Sequence, residues 1–256
     1  MLNLKNIIHK YQDKFAVNDV SLEVKSGEIL AIVGESGSGK TTLLNIISGN
    51  IMPENGVLSI DNEVIDIYFN RLIKELPNIK LVPQDYRLKP DYTIYENIDL
   101  ALTKYTHQYR RERVTELMVL CGISEIKNKK PREVSGGEKQ RTAIARAIAE
   151  EPLVLLLDEP FSNLDSINRT HLRSKIVEII RQEEIACILV THDLLDAFLV
   201  ADRIAIMQKG KVLMIDTPLN ILQEFENQYI KDFVSSAVQP IKDFMEGFGK
   251  NMNFDV

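Results

Sequence analysis

Residues 29–42 read Ile29-Leu30-Ala31-Ile32-Val33-Gly34-Glu35-Ser36-Gly37-Ser38-Gly39-Lys40-Thr41-Thr42. The first five form a continuous apolar run, as a strand covered on both faces requires. The next eight fit G-x-x-x-x-G-K-[ST] at every fixed position, and Thr42 to Ile47 has the character of a helix. Strand, glycine-rich turn and helix in that order build a phosphate cradle. Glycines let the backbone wrap an anion where a Cβ blocks the approach. Exposed N–H groups and the helix N-terminus face its charge. In this reading Lys40 neutralises β- and γ-phosphate charge, and the Thr41 hydroxyl ligates Mg²⁺.

On either side of this stretch the hydrophobic pattern divides the chain into three regions. From Met1 to about Gln84 it reads as strands and turns. Leu2, Leu4, Val20, Leu22 and Val24 alternate with period two, and Gly56 to Ile67 resembles a hairpin turning at Asp61-Asn62. From about Asp85 to Glu150 it turns helical. Val114, Leu117, Met118 and Cys121 fall on one helix face, Ile144 and Ile148 repeat the spacing, and Pro131 breaks the chain between them. From Leu153 to Asp216 strands and helices alternate. Leu153–Leu157 and Ile185–Val190 are buried strands, Leu172, Ile176, Ile179 and Ile180 form a helical stripe, and Leu194–Val200 is helical. Arg203–Gln208 and Lys211–Asp216 form a hairpin at Lys209-Gly210. This alternation predicts an α/β fold with a mainly parallel sheet. The last stretch, with Pro240, Gly247 and Gly249, reads as a helical extension.

The run Leu155-Leu156-Leu157-Asp158-Glu159 supplies the second half of a site. An apolar strand delivers its acids to the carboxyl end of the sheet, where open α/β sheets bind ligands. Asp158 suits Mg²⁺. Glu159 suits a base that orients and deprotonates a water.

Composition bounds what these motifs can serve. The chain has 256 residues, 31 Lys+Arg against 37 Asp+Glu, a net charge of −6, and 45% hydrophobic and 27% charged residues. Those values exclude collagen-like, low-complexity and wholly disordered chains. No apolar run approaches the ~20 residues of a membrane span. The amino terminus lacks the basic-then-apolar order of a signal peptide. Cys121 and Cys187 read as free cytosolic thiols. The acidic balance argues against a nucleic-acid-binding surface.

Val134-Ser135-Gly136-Gly137-Glu138-Lys139-Gln140-Arg141 then gives the sequence a family likeness. A Ser-Gly-Gly turn opening a helix offers a hydroxyl, backbone N–H groups and a positive dipole end to a phosphate. Together with the earlier motifs it resembles the ATP-binding cassette ATPases, over about Leu2 to Asp232. Val134 stands where leucine is commoner, and Glu138 where glutamine is. The resemblance implies a P-loop NTPase core with a mainly parallel sheet, an N-terminal antiparallel β subdomain and an inserted α-helical subdomain. The nucleotide-binding core is expected over 1–84 and 151–232, the helical subdomain with the signature over 85–150, and an extension over 233–256.

It further implies ATP and Mg²⁺ as cofactors, with Glu159, His192 and Gln84 as catalytic residues and Thr41, Gln84 and Asp158 as metal ligands. Nucleotide contacts fall to Tyr11 (stacked on adenine), Gly34, Glu35, Ser36, Gly37, Ser38, Gly39, Lys40, Thr41 and Thr42. Ser135, Gly136, Gly137 and Asp165, the last in the Ser162-Asn163-Leu164-Asp165 loop, complete the site of a second subunit. The working unit is then a head-to-tail pair, formed with a second copy or a paralogous ATPase and closed by ATP. Thr191-His192-Asp193, Ala201-Asp202-Arg203 and Asp216-Thr217-Pro218 resemble importer ATPases. Those act peripherally on the cytoplasmic face of the cell membrane with transmembrane permease subunits, and through the permease with a solute-binding protein. A receiving groove for the permease is expected near Gln84, where Leu88, Pro90, Tyr92, Ile94 and Tyr95 cluster. Alternatives of another class are a cassette ATPase acting on nucleic acid or ribosomes, an exporter or lipoprotein-release ATPase, and a stand-alone phosphate-loop kinase. One cassette, two cysteines and no basic tract disfavour the first, and the signature disfavours the last.

Overall fold

The computed structural model describes residues 1–65, 76, 78–162, 164–223 and 227–249. In chain order the strands and first helices are β1 (Leu2–Tyr11), β2 (Lys14–Val24), β3 (Ile29–Val33), α1 (Lys40–Ile47), β4 (Asn55–Ile60), β5 (Glu63–Ile65), β6 (Ile79–Val82), α2 (Ile94–Asp99), α3 (His107–Leu120) and α4 (Gly136–Ile148). There follow β7 (Val154–Asp158), α5 (Ser166–Gln182), β8 (Ala186–Thr191), α6 (Leu194–Val200), β9 (Arg203–Gln208), β10 (Lys211–Asp216), α7 (Pro218–Ile221) and α8 (Gln228–Gly249). Pro131 opens a 3-10 turn between α3 and α4, and Pro240 and Gly247 lie within α8.

Two sheets carry the architecture. One is antiparallel, in the order β2-β1-β4-β5. The other runs β10-β9-β3-β8-β7-β6 and is parallel except for its edge strand β10. Helices α2, α3 and α4 fall in the chain between β6 and β7. The mixed α/β fold expected from the sequence, an antiparallel amino-terminal sheet beside a mainly parallel one, is therefore present.

The apolar runs serve two cores at once. Side chains alternate across a strand. Ile29, Ala31 and Val33 of β3 enter one core with the helices α3, α4 and α5, while Leu30 and Ile32 enter another with α1 and the antiparallel sheet. β7 divides likewise, with Leu155 and Leu157 on one side and Val154 and Leu156 on the other. Double coverage explains why these strands show no polar alternation. Each fully buried aliphatic contributes on the order of 1.5–3 kcal/mol.

Local signals hold to within a residue or two. Asp61 and Asn62 both have positive φ, at 50° and 68°, as do Lys209 and Gly210, at 47° and 82°. This left-handed pair is the turn that tight hairpins prefer. The β4–β5 hairpin starts at Asn55, and Ile67 lies outside the described residues. Leu153, expected inside a strand, is 43% exposed and precedes β7. The stripes on α3 and α5 are buried at every expected position. Among the described residues, no helix is long and apolar enough to cross a membrane.

Candidate active site

β3 ends at Val33 and the chain turns through six residues into α1. Packing makes two glycines obligatory. A Cβ on Gly39, whose φ is 105°, meets the Ala16 carbonyl oxygen at 2.0 Å, and one on Gly34 meets that of Met207 at 2.1 Å. The loop is thus wedged between β2 and β9. The helix begins at Lys40, two residues before its expected start, and Gly39 supplies no side-chain cap. The first-turn N–H groups of α1 keep the unpaired donors on which an anion can settle.

Lys40 is 7% exposed and folds back over the loop. Its Nζ donates to Gly34 O at 2.7 Å, Glu35 O at 2.9 Å and Ser38 Oγ at 3.4 Å. Burial lowers its pKa, and the nearby Glu159 and Asp158 carboxylates oppose that shift. The ammonium is thereby held ready inside the loop, tied to carbonyls rather than to an acid.

β7 carries Asp158 as its last residue. One carboxylate oxygen, Oδ1, is buried with no hydrogen-bond partner. Burial raises the Asp158 pKa and Glu159 adds to the rise, while the Thr41 hydroxyl and Lys40 oppose it. Glu159 turns away in a left-handed conformation at φ 51°, and its N–H donates to Val190 O at 2.9 Å. Its Oε2 lies 2.8 Å from His192 Nδ1. Ser162 Oγ donates to Glu159 O at 3.0 Å, and Gln84 Nε2 donates to Ser162 Oγ at 3.1 Å. Gln84, Ser162, Glu159 and His192 therefore form one hydrogen-bonded row at the carboxyl ends of β6, β7 and β8.

A cleft of about 710 Å³ gathers Tyr11, Ser36, Gly37, Gly39, Lys40, Thr41, Thr42, Gln84, Asp158, Glu159 and His192. Gly34, Glu35 and Ser38 belong to the same loop behind that lining. Tyr11 is half exposed at its edge, with its ring edge-on to His9 at 4.9 Å. Sequence reading misses four further lining residues, Gln12, Lys14, Phe15 and Ala16. They come from the β1–β2 turn, where Tyr11 pairs with Lys14. No motif marks them; only the hairpin register brings them beside the loop.

Ser135, Gly136, Gly137 and Asp165 do not line this cleft. Ser135 caps α4, with its Oγ accepting from Glu138 N at 3.3 Å while Glu138 Oε2 accepts from Ser135 N at 2.7 Å. Asp165 caps α5 by accepting from Asn168 N at 2.9 Å, and that bond holds its carboxyl below the usual range.

Comparison with known proteins supplies the family. Residues 17–162 match the ABC transporter family. The chain is 40% identical over 225 residues to the trehalose/maltose import ATP-binding protein MalK of Thermococcus litoralis, covering 86% of this chain and 60% of that one. It is 36% identical over 239 residues to the putrescine transport ATP-binding protein PotG of Escherichia coli, covering 93% and 62%. It thus spans less than two thirds of the length of these curated relatives. Among solved structures, the ATP-binding cassette MJ0796, a dimer in a post-hydrolysis state bound to ADP and Pi, is 32% identical with a TM-score of 0.73, covering 88% of this chain and all of that one. The cassette cbiO1 of Clostridium perfringens, part of a cbiONQ transporter complex, is 29% identical with a TM-score of 0.81, covering 96% and 98%. With its phosphate loop, acidic strand end and Ser-Gly-Gly helix start carried on that fold, this chain belongs to the ABC transporter family.

Proposed function

We propose that the chain binds Mg·ATP in the cleft between the phosphate loop and the end of β7 and hydrolyses it, powering import of a small solute through separate permease subunits. The observation that carries this is the convergence of Lys40, the Asp158–Glu159 pair and His192 on one cleft from three separated segments.

The residues fit the groups they are assigned. Lys40 meets phosphate charge by exchanging its loop carbonyls for phosphate oxygens. For a divalent ion, the orphaned Asp158 oxygen and the adjacent Thr41 hydroxyl are the available donors, with Gln84 beside them. Among the described residues no group of three or more His, Cys, Asp or Glu side chains is arranged to hold a metal ion by itself. Such a sparse donor set suits Mg²⁺, which keeps waters and takes substrate phosphates as ligands. Once bound, it supplies charge neutralisation on the phosphates. With Glu159 Oε2 engaged by His192, Oε1 is left to orient a water, and a positioned base of this kind contributes about 10²–10⁴-fold.

Ser135, Gly137 and Asp165, outside the cleft of their own chain, serve the site of a second copy or a paralogous ATPase in a head-to-tail pair. The γ-phosphate gives the closed pair contacts that the open one lacks, so ATP drives closure. A separate cavity of about 510 Å³ between β6, α2 and α4, lined by Leu81, Pro83, Arg87, Lys89, Ala101 and Ala147 among others, is our candidate for the permease groove. The residues expected there, Leu88, Pro90, Tyr92, Ile94 and Tyr95, do not line it: Ile94 is buried, Leu88 and Tyr95 pack against the core, and Tyr92 is exposed. The import assignment rests on the names of the relatives, and with it go a solute-binding protein reached through the permease and a peripheral place on the cytoplasmic face of the membrane.

The test is Glu159→Gln. The variant keeps ATP affinity, loses phosphate release, and elutes as a dimer with ATP and Mg²⁺ in light-scattering chromatography. A variant that stays monomeric overturns the head-to-tail pair, and a wild-type chain that releases no phosphate overturns the hydrolytic reading.

A further inference from the structure

The mechanism leaves a partly buried charge cluster unused. α5 starts at its cap Asp165 and carries Arg169 and Arg173 one turn apart on one face. α6 starts at its cap Asp193, next to His192, and carries Asp196 in its first turn. Arg169 Nη1 donates to Asp193 Oδ2 at 3.2 Å and lies 3.9 Å from Asp196 Oδ2. Arg173 donates through both Nε, at 2.9 Å, and Nη2 to Asp196 Oδ1. Asp196 is only 2% exposed. The Arg173 guanidinium also lies over the ring of the fully buried Phe161, 5.9 Å from its centroid. Phe161 belongs to the turn that begins at Glu159.

Three segments therefore meet on two arginines: the Glu159 turn, the His192–Asp193 turn and the start of the helix capped by Asp165. Asp193 is fixed a second time, since its Oδ1 accepts from Leu195 N at 2.9 Å and its own N–H donates to Thr191 Oγ1 at 3.1 Å. His192 sits between these anchors, and its side chain, 66% exposed, makes its bond to Glu159 from there.

Resting on the hydrolytic reading above, we propose that Arg169 and Arg173 are positioning residues. They set the His192–Glu159 pair and tie it to the Asp165 loop, without touching nucleotide. The two arginines differ in what can replace them. Arg169 holds Asp193 through one nitrogen, a contact that a lysine ammonium can make. Arg173 uses a two-donor fork and a ring face, which lysine cannot reproduce. Removing Arg173 also strands a buried carboxylate, so Arg169 is the informative position.

Arg169→Met should lower kcat about 10- to 100-fold, the scale of a misplaced catalytic group. Nucleotide affinity should stay within about threefold of wild type, the split expected when only the transition state loses a contact. Arg169→Lys should restore most of kcat, and Arg173→Lys should not. A second readout needs no hydrolysis: the His192 imidazole NMR signals, assigned with His192→Ala, should move in Arg169→Met and return in Arg169→Lys, while those of His9 and His107 stay. Unchanged kcat, or unmoved His192 signals, overturns the proposal. So does a parallel loss of affinity and thermal stability in Arg169→Met that Arg169→Lys does not relieve. A wild-type chain that hydrolyses no ATP, with the His192 signals still responding, removes the reading of function and keeps the positional link.

Discussion

At the scale of single residues, the site is held in a state that favours binding over stability. Asp158 is the clearest case, a carboxylate whose one oxygen is buried without a partner and whose pKa is raised first by burial. The unfolded carboxyl titrates near pH ~3.9. Because the folded form holds its proton more tightly, the Asp158 contribution to stability is full below about pH 4 and is lost as pH rises through the raised folded value. At neutral pH the charged side chain therefore works against the fold. Asp158→Asn should raise Tm at neutral pH, lose that advantage below about pH 4, and abolish phosphate release. Thermal melts of the nucleotide-free protein across that range check the sign, and a lower Tm for the variant at neutral pH contradicts it. Such gains in stability at the expense of activity are the usual mark of a functional site.

At the scale of elements, the start of α4 shows how one cap can serve two purposes. The Ser135 hydroxyl accepts from Glu138 N, which leaves its proton free to donate to a phosphate. Glu138, standing where glutamine is commoner, closes the reciprocal bond to Ser135 N. Ser135→Ala should cost about 1 kcal/mol, a Tm loss of about 2–4 °C at this chain length. Ser135→Asp should keep Tm, since aspartate caps as well as serine, yet place an anion where a phosphate is to bind. In the Glu159→Gln background it should then fail to dimerise with ATP, and a dimer equal to that of Glu159→Gln alone overturns the assignment. The helix start at Ser135-Gly136-Gly137 was legible in the sequence because its signal is local, whereas the reciprocal bond from Glu138 was not read there. The doubly covered strands and both left-handed hairpin turns were legible for the same reason. Lys14, Phe15 and Ala16 were not, because the β1–β2 register brings them to the cleft. Nor was the bridge from Arg169 to Asp193, which joins two successive helices across the strand between them. The pattern within a segment shows what that segment is, whereas partners across the fold depend on packing that no local spacing records.

At the scale of the whole molecule, the parallel sheet gathers one cleft at the carboxyl ends of its strands, and the residues proposed to complete it lie elsewhere. The cleft collects the phosphate loop and the ends of β6, β7 and β8, while Ser135 and Asp165 cap helices that do not reach it. If the cleft and those caps meet between copies, inactivation should be complementable. Lys40→Ala breaks the cleft and spares Ser135. Ser135→Arg breaks the signature and spares the cleft. Each alone should release no phosphate, because both composite sites of a two-fold pair carry the lesion. Mixed in equal amounts, half of the pairs become mixed, and in each of these the cleft of the Ser135→Arg chain faces the intact Ser135 of the Lys40→Ala chain. One site in two is then whole, so the mixture should recover up to about a quarter of the wild-type rate per chain. A cassette whose site closes within one chain gives no recovery at any ratio. Phosphate release measured as a function of mixing ratio should peak at equal amounts and fall to zero at both ends, and a flat line at zero removes the head-to-tail pair.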